Sequence, residues 1–289
     1  MDTNQLTDIF CQVDDFCKTF DGYVQAKLLP KPKTSRGPQC CLSEAEIMTI
    51  IIAFQNAGYR NFKTFYIGHV GQFWKKAFPI LPSYNRFIEL MQRVFFHLII
   101  FSQVNSGKRT DIYYIDSSCL PVCHSKRRYR HKTFKGIAAS GRSSVGWFFG
   151  LKIHLVINHI GQLIAFKLTR GNVSDVAVSK SLLQGLSGLA FGDKGYIGKT
   201  LSEHLLKNGV KLVTRVRKNM KTPHYSSLEK HLLDKRGIIE TVINHFKNHY
   251  FIWHTRHRSI INAFTHLMAA IAAYSIAPLK ISANKAISC

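Results

Sequence analysis

Apolar positions repeat at helical spacing through the first hundred residues and at strand spacing afterwards. Leu6, Ile9, Phe10, Val13 and Phe16 share one helical face. Ser43 and Glu46 have the spacing of a capping box ahead of the apolar run at 47–52. Ser83 starts a third helical pattern through Phe87, Leu90, Met91, Val94 and Phe95. The stretch 28–39, rich in Pro and Lys, reads as a loop or linker. Near residue 110 the period changes. Residues 112–115 read as a buried strand. The β-rich runs 147–158 and 162–169 are joined by His159-Ile160-Gly161 as a hairpin. There follow a helix over 173–186, a strand at 189–191, a helix over 201–207 stopped near Gly209, and a strand at 211–216. A long helix over 227–250 and a last apolar helix over 256–277 close the chain. This order, β-β-β-α-β-α-β-α, predicts an α/β unit with a mixed five-stranded sheet. The strands that lead into Asp116 and Asp193 should run parallel, because a helical crossover separates them. The division expected is a helical region at 1–108 and an α/β domain with C-terminal helices at 109–289.

Charge changes the picture more than composition does. At 289 residues with 46% hydrophobic residues the chain can bury a large core. It carries 40 Lys and Arg against 16 Asp and Glu, a net charge of +24. Residues 1–21 hold five acids and one base, which leaves +28 on the remainder. No acid lies between Asp116 and Asp175. Such a field favours phosphate backbones; an anionic membrane surface or ribosomal RNA is the blander partner. The cysteines (11, 17, 40, 41, 119, 123 and 289) are odd in number and form no regular framework, which points to a reducing compartment. Acids interrupt the N-terminus where a signal peptide would be apolar. The longest apolar stretch, 267–279, is short for a membrane span. The expectation is a cytoplasmic protein that enters no membrane.

Against this basic background, three acids are placed where chemistry could use them. Asp116 follows the apolar run 112–115, Asp193 follows 189–192, and Glu240 lies in a helical stretch. Phosphodiester transfer needs an activated oxygen nucleophile, charge stabilisation on phosphorus and an assisted leaving oxygen, which two divalent ions can supply. Mg²⁺ prefers carboxylates and retained waters, and parallel α/β sheets set their sites at the carboxyl ends of strands. Ile239, Val242, Ile243, Phe246 and Tyr250 form an apolar helical stripe, with Arg236, Glu240, Asn244 and Lys247 on the stripe beside it. A helix docked by the first stripe holds Glu240 at the rim of the sheet with cations flanking it.

The blocks Tyr114-Ile115-Asp116-Ser117-Ser118, Phe191-Gly192-Asp193-Lys194-Gly195-Tyr196 and Arg236-x3-Glu240-x6-Lys247 occur in order. Gly150-Leu151-Lys152-Ile153-His154 and Gly171-Asn172-Val173-Ser174-Asp175 lie between the first two. Over roughly 110–260 the chain resembles the DDE-superfamily transposases of bacterial insertion sequences, nearest the group numbered nine-eighty-two. That resemblance implies an RNase H-like catalytic domain in which Asp116, Asp193 and Glu240 hold two Mg²⁺, with Mn²⁺ able to substitute. It implies a polynucleotidyl transferase that binds terminal inverted repeats, cleaves at the element ends and joins the 3′-OH to target DNA. It implies double-stranded DNA as partner, a homodimer or higher assembly at synapsis, and a nucleoid-associated place in a bacterium. Many relatives carry a Tyr three residues before the Arg of the third block; here the residue is Leu233.

Other readings stand beside these. Asp116 and Asp193 taken singly are ordinary turn residues. Asp175 is either a fourth metal-site acid or an acid at a helix start, suited to the helix dipole; the second reading is preferred and keeps it outside the catalytic set. DNA contacts are assigned to Arg236 and Lys247, to Lys152 and His154 on one strand face, and to the basic run Lys126, Arg127, Arg128, Arg130 and Lys132. The alternatives are solvated helix charges, a core histidine and a disordered basic loop. Tyr196 is either core or a stacking residue. His254, Arg256, His257 and Arg258 extend the basic track or form a solvated turn. Cys119-x3-Cys123-His124 has metal-like spacing without a partner pair at finger distance, apart from the remote Cys40-Cys41. The helical region reads DNA or merely caps the core. An RNase H-like nuclease without strand transfer, a catalytically inactive basic nucleic-acid-binding protein and a decayed transposase copy are the rival functions.

Overall fold

A computed structural model of the chain describes residues 2–27, 41–220, 223–253, 257–278 and 280–281. The linker expected at 28–39, His254 and Arg256 of the second basic cluster, Cys40 and Cys289 lie outside these residues. Two compact units are formed, Met1–Asn105 with His257–Ala273, and Ser106–Arg256 with Tyr274–Cys289.

The first unit is helical. Helix α1 (Thr3–Lys27) buries Leu6, Ile9, Val13 and Cys17 along one face. Helix α2 (Glu44–Asn56) starts with the capping box expected from its sequence. The Ser43 hydroxyl accepts from the Glu46 N–H at 3.1 Å, and the Glu46 carboxylate accepts from the Ser43 N–H at 2.7 Å. Short turns at Phe62–Thr64 and Gly71–Phe73, joined by a π-helical stretch Phe65–Val70, lead onward. Ser83 caps helix α3 (Tyr84–Leu90), which passes through a 3₁₀ turn at Met91–Val94 into α4 (Phe95–Val104). This 21-residue run is long and apolar enough to cross a membrane by length and composition. Its Phe87, Leu90, Met91, Val94, Leu98 and Phe101 are buried within the structure. The last helix of the chain, α9, spans Ile260–Ile276; Ala269, Ala270, Ala272 and Ala273 on it are fully buried, the packing of a core helix.

The second unit is built on a mixed sheet. Its strands are β1 (Ile112–Cys123), β2 (Ala139–Ser143), β3 (Gly146–Asn158), β4 (Leu163–Arg170), β5 (Gly188–Gly192) and β6 (Val210–Thr214). Across the sheet the order is β4-β3-β1-β5-β6. β3 runs antiparallel to β1 and β4, while β1, β5 and β6 are parallel. This is the RNase H-like arrangement, and β1 and β5 pair in parallel as their connection requires. The short β2, not expected from the sequence, pairs with β3 at 146–150 where β4 pairs at 151–157. The two therefore share one edge of β3 in succession, and the sheet stays five strands wide. Their junction leaves no room for side chains. A Cβ on Gly150 would lie 2.1 Å from the Leu120 carbonyl oxygen, and one on Gly141 would lie 2.1 Å from that of Gly171.

Helix α5 (Asp175–Leu182) and α6 (Lys199–Lys207) cover one face, on which Tyr113 and Ile115 pack with Val178, Leu182, Tyr196, Leu201 and Leu205. Helix α7 (Ser227–Asp234) reaches the opposite face, where the Tyr114 hydroxyl donates to the Leu232 carbonyl at 3.1 Å. The helix expected over 227–250 is in fact two, α7 and α8 (Gly237–Asn248). At the break the Arg236 and Ile239 N–H groups donate three residues back rather than four, and Gly237, a weak helix former, follows. A second capping box, Ser226 with Glu229, starts α7.

Replacing Gly150 by Ala should therefore lower the unfolding free energy of the second unit by about 1–3 kcal/mol, as overpacking does. Urea unfolding followed by circular dichroism measures this. An unchanged midpoint would show that β1 and β3 yield at this crossing.

Candidate active site

The parallel register sets the geometry. The last β1–β5 pair is Tyr114 with Phe191, and their rings are 5.5 Å apart. Two residues on from this pair come Asp116, still on β1, and Asp193, the first residue past the end of β5. β1 itself continues to Cys123, so Asp116 is a mid-strand residue whose β5 partner has ended. Asp193 is at the cap position of a 3₁₀ turn, Lys194–Tyr196, yet its side chain caps nothing there. The turn-residue reading of Asp193 thus lacks the hydrogen bond that would support it.

Helix α8 brings the third acid. Its Ile238, Ile239, Val242, Ile243 and Phe246 are buried, while Glu240 is 55% exposed at its side chain. Arg236, one residue before α8, reaches both acids. Its guanidinium pairs closely with the Glu240 carboxylate and lies 3.7 Å from Asp116 Oδ2. Burial pushes the Asp116 carboxyl up to about 6, and the neighbouring Asp193 and Glu240 add to that. The Ser117 N–H, 2.8 Å from Asp116 Oδ1, and Arg236 act in the other direction. Lys247, on the same helix, is held below the ordinary lysine range by burial, with Cys119 and Asp116 opposing that shift. Its ammonium stands 4.6 Å from the centre of the Trp253 ring.

Oxygen ligands from carboxylates suit a hard divalent cation. A cluster of acids that disfavour one another's ionisation is one that a cation relieves. In the structure Arg236 supplies part of that relief, and among the described residues no three His, Cys, Asp or Glu side chains converge closely enough to hold a metal ion. The donor set fits Mg²⁺ or Mn²⁺ in kind, with Arg236 as the present counter-charge.

The remaining sequence assignments divide. Lys126, Arg127, Arg128 and Arg130 are exposed on a 3₁₀ turn, Ser125–Arg130, and Lys132 is exposed just after it. Arg128 lies over the exposed Tyr129 ring at 4.6 Å. Lys152 and His154 require correction. His154 is fully buried, bonds Thr169 Oγ1 at 2.9 Å, and is held near a pKa of about 4 by burial. A buried neutral imidazole offers a phosphate neither surface nor charge. Lys152, 14% exposed, donates to the Val173 carbonyl at 3.1 Å and to Asp175 at 3.3 Å. By register both pair with β1 residues of the face opposite to Asp116. Tyr196 is core, and Leu233 is buried. Ser117, assigned no role from the sequence, bonds Asp116 through its N–H and Asp175, the acid left outside the catalytic set, through its hydroxyl.

An RNase H-like sheet with one aspartate on β1, a second just past the end of its parallel neighbour β5 and a helix-borne glutamate defines the class of domain. Residues 106–260 match the family model described as Transposase DDE domain, more than half of the chain, and the protein belongs to that family. No curated protein matches it. Among solved structures, a piggyBac transposase synaptic complex with hairpin DNA aligns at 11% identity over 76% of this chain and 52% of that one, with a TM-score of 0.38. The Mos1 transposase paired-end complex with the left transposon end aligns at 11% identity over 90% and 86%, with a TM-score of 0.25. The Mos1 mariner paired-end complex with Mn aligns at 11% identity over 96% and 99%, with a TM-score of 0.24. The chain spans about half the length of the piggyBac chain. At these scores the fold assignment rests on strand order and register.

Asp116 has a raised pKa in the folded state, so its ionisation is opposed by folding. Its contribution to stability is full below the ordinary value of 3.8 and is lost as pH rises through about 6. In metal-free buffer Asp116→Asn should raise the melting temperature at pH 8 and leave it unchanged near pH 3. Scanning calorimetry decides this; equal shifts at both pH values would locate the effect in packing instead.

Proposed function

We propose that the protein is a DNA transposase of the bacterial insertion-sequence kind, nearest the group numbered nine-eighty-two. In this reading it binds the terminal inverted repeats of its element, cleaves at the ends and transfers the 3′-OH to target DNA. What supports the reading is a DDE family match over a sheet in which the parallel β1–β5 register leads toward Asp116 and Asp193, with Arg236 joining Asp116 and Glu240. Asp116, Asp193 and Glu240 would hold two Mg²⁺, or Mn²⁺ in their place, once Arg236 gives up its carboxylate partners. Bound there, the ions supply an activated oxygen nucleophile and stabilise charge on phosphorus. Arg236 balances the acids and is placed to exchange its Glu240 partner for a DNA phosphate. Lys247 offers a second cation on the same helix. The exposed turn at 125–130, with Lys132, tracks the backbone of the duplex. The protein works on nucleoid DNA in the cytoplasm, and two copies meet at synapsis so that both ends are cut together.

Purified protein should join a labelled duplex carrying the element's own end to target DNA in Mg²⁺ or Mn²⁺. Asp193→Asn should abolish joining while retaining end binding. Cleavage without joining in the wild type would favour a nuclease, and binding with neither reaction would leave a DNA-binding protein or an inactive copy. A variant with Ala at Lys126, Arg127, Arg128, Arg130 and Lys132 should weaken binding at all sequences alike. Its log–log salt slope should fall by about 1 for each phosphate that the turn no longer neutralises; an unchanged slope would remove this turn from the DNA path.

A further inference from the structure

We propose that Asp175 is the positioning residue of the site, holding Asp116 and the turn after Asp193 from the opposite face of the sheet. The inference rests on the reading of Asp116 and Asp193 as catalytic. Asp116 and Ser117 are consecutive on β1, so their side chains leave opposite faces. The Asp116 carboxylate accepts from the Ser117 N–H at 2.8 Å through Oδ1, which leaves Oδ2 on the side of Arg236, 3.7 Å away. The Ser117 hydroxyl donates to Asp175 Oδ1 at 2.8 Å. One chain of two hydrogen bonds thus runs from Asp175 through Ser117 to the carboxylate on the front of the sheet.

The same acid is tied down by the next strand. Lys152 Nζ lies 3.3 Å from Asp175 Oδ1 and is the tie; the neutral His154 ring, with Nδ1 3.7 Å away, only packs beside it. Ser117 is in register with His154, and Cys119 with Lys152, so these groups form a polar patch on the α5 face. Ser174 caps α5 through the Ala177 N–H at 3.3 Å, and Asp175 opens the helix, where a negative charge suits the helix dipole. On the Asp193 side, a Cβ on Gly195 would come within 3.9 Å of Asp175 Oδ2. The turn Lys194–Tyr196 therefore comes near this carboxylate, with room only for van der Waals contact, and Tyr196 is buried in the core that α5 helps to build. Asp175 is placed to fix the strand that carries Asp116 and the turn that follows Asp193.

A merely structural acid would be needed for folding and nothing more. A positioning acid predicts a rate defect that depends on Ser117. With the full chain and element-end duplex, Asp175→Ala should slow cleavage by about ten- to hundredfold, the usual effect of removing a group that orients a metal-site ligand. End-DNA affinity should stay at the wild-type value. Ser117→Ala should slow cleavage in the same way, and the double variant should be no slower than Asp175→Ala alone, since the two act in series. Asp175→Asn, which still accepts from the Ser117 hydroxyl, should recover part of the rate. Multiplying defects in the double variant, or rate and affinity falling together, would overturn the proposal. A crystal structure of Asp175→Ala supplies a readout free of activity. Asp116 should leave its bond to the Ser117 N–H, or the 194–196 turn should shift. Both unmoved would also overturn it. A wild type that cleaves nothing would count against the transposase reading, while the crystal structure would still decide the positioning role.

Discussion

The parallel ladder between β1 and β5 is the constraint on which the rest of the site depends. Only Ile112 with Leu189, Tyr113 with Ala190 and Tyr114 with Phe191 are paired, yet these three pairs fix the register of two acids that lie 77 positions apart in the chain. A slip of one residue would turn Asp116 into the α5 core and bring Ile115 to the site, because the side-chain period of a strand is two. The slip is opposed from both faces. Tyr113 and Ile115 are fully buried against α5 and α6, and Tyr114 is held by Phe191 and the Leu232 carbonyl.

The second constraint is electrostatic. Acids are scarce in this chain, and four of those around the sheet are matched with cations. Asp116 and Glu240 share Arg236, Asp175 takes Lys152, and the buried Glu229 takes Lys211. The break between α7 and α8 serves this matching. It sets Arg236 at the head of α8, where one guanidinium spans the sheet acid and the helix acid. Within one unbroken helix Arg236 would keep Glu240 at four residues' spacing, but nothing would aim it at the sheet.

Much of this was legible in the residues. The capping box at Ser43, the start at Ser83, the hairpin at 159–161 and the parallel relation of β1 and β5 are consequences of local spacing and connection length, which sequence carries directly. Glu240 beside an apolar stripe was equally readable. The short β2 was not, since Ala139-Ser140-Gly141-Arg142-Ser143 has no apolar alternation, and its pairing exists because glycines let β2 and β4 meet along β3. The break at 235–236 is hidden because the stripe from Leu232 to Phe246 continues across it, although Gly237 and the Ser226–Glu229 box are both signals of two helices.

Lys152 and His154 show where periodicity stops. Their spacing says that they share a face, and it is silent about which face. In a chain of net charge +24 the default for any cation is the phosphate backbone, and that default displaces a second question, whether an acid is in reach. Asp175 supplies the signal. It is the first acid after Asp116, at the head of a helix that must pack on one side of the sheet. A strand acid whose following residue is Ser, with Lys and His two apart on the antiparallel neighbour, is the pattern of a polar contact across the sheet rather than of a DNA surface. In this fold the cations near the acids are drawn inward to hold them. Exposed positive charge is left where no acid competes, on the turn at 125–130.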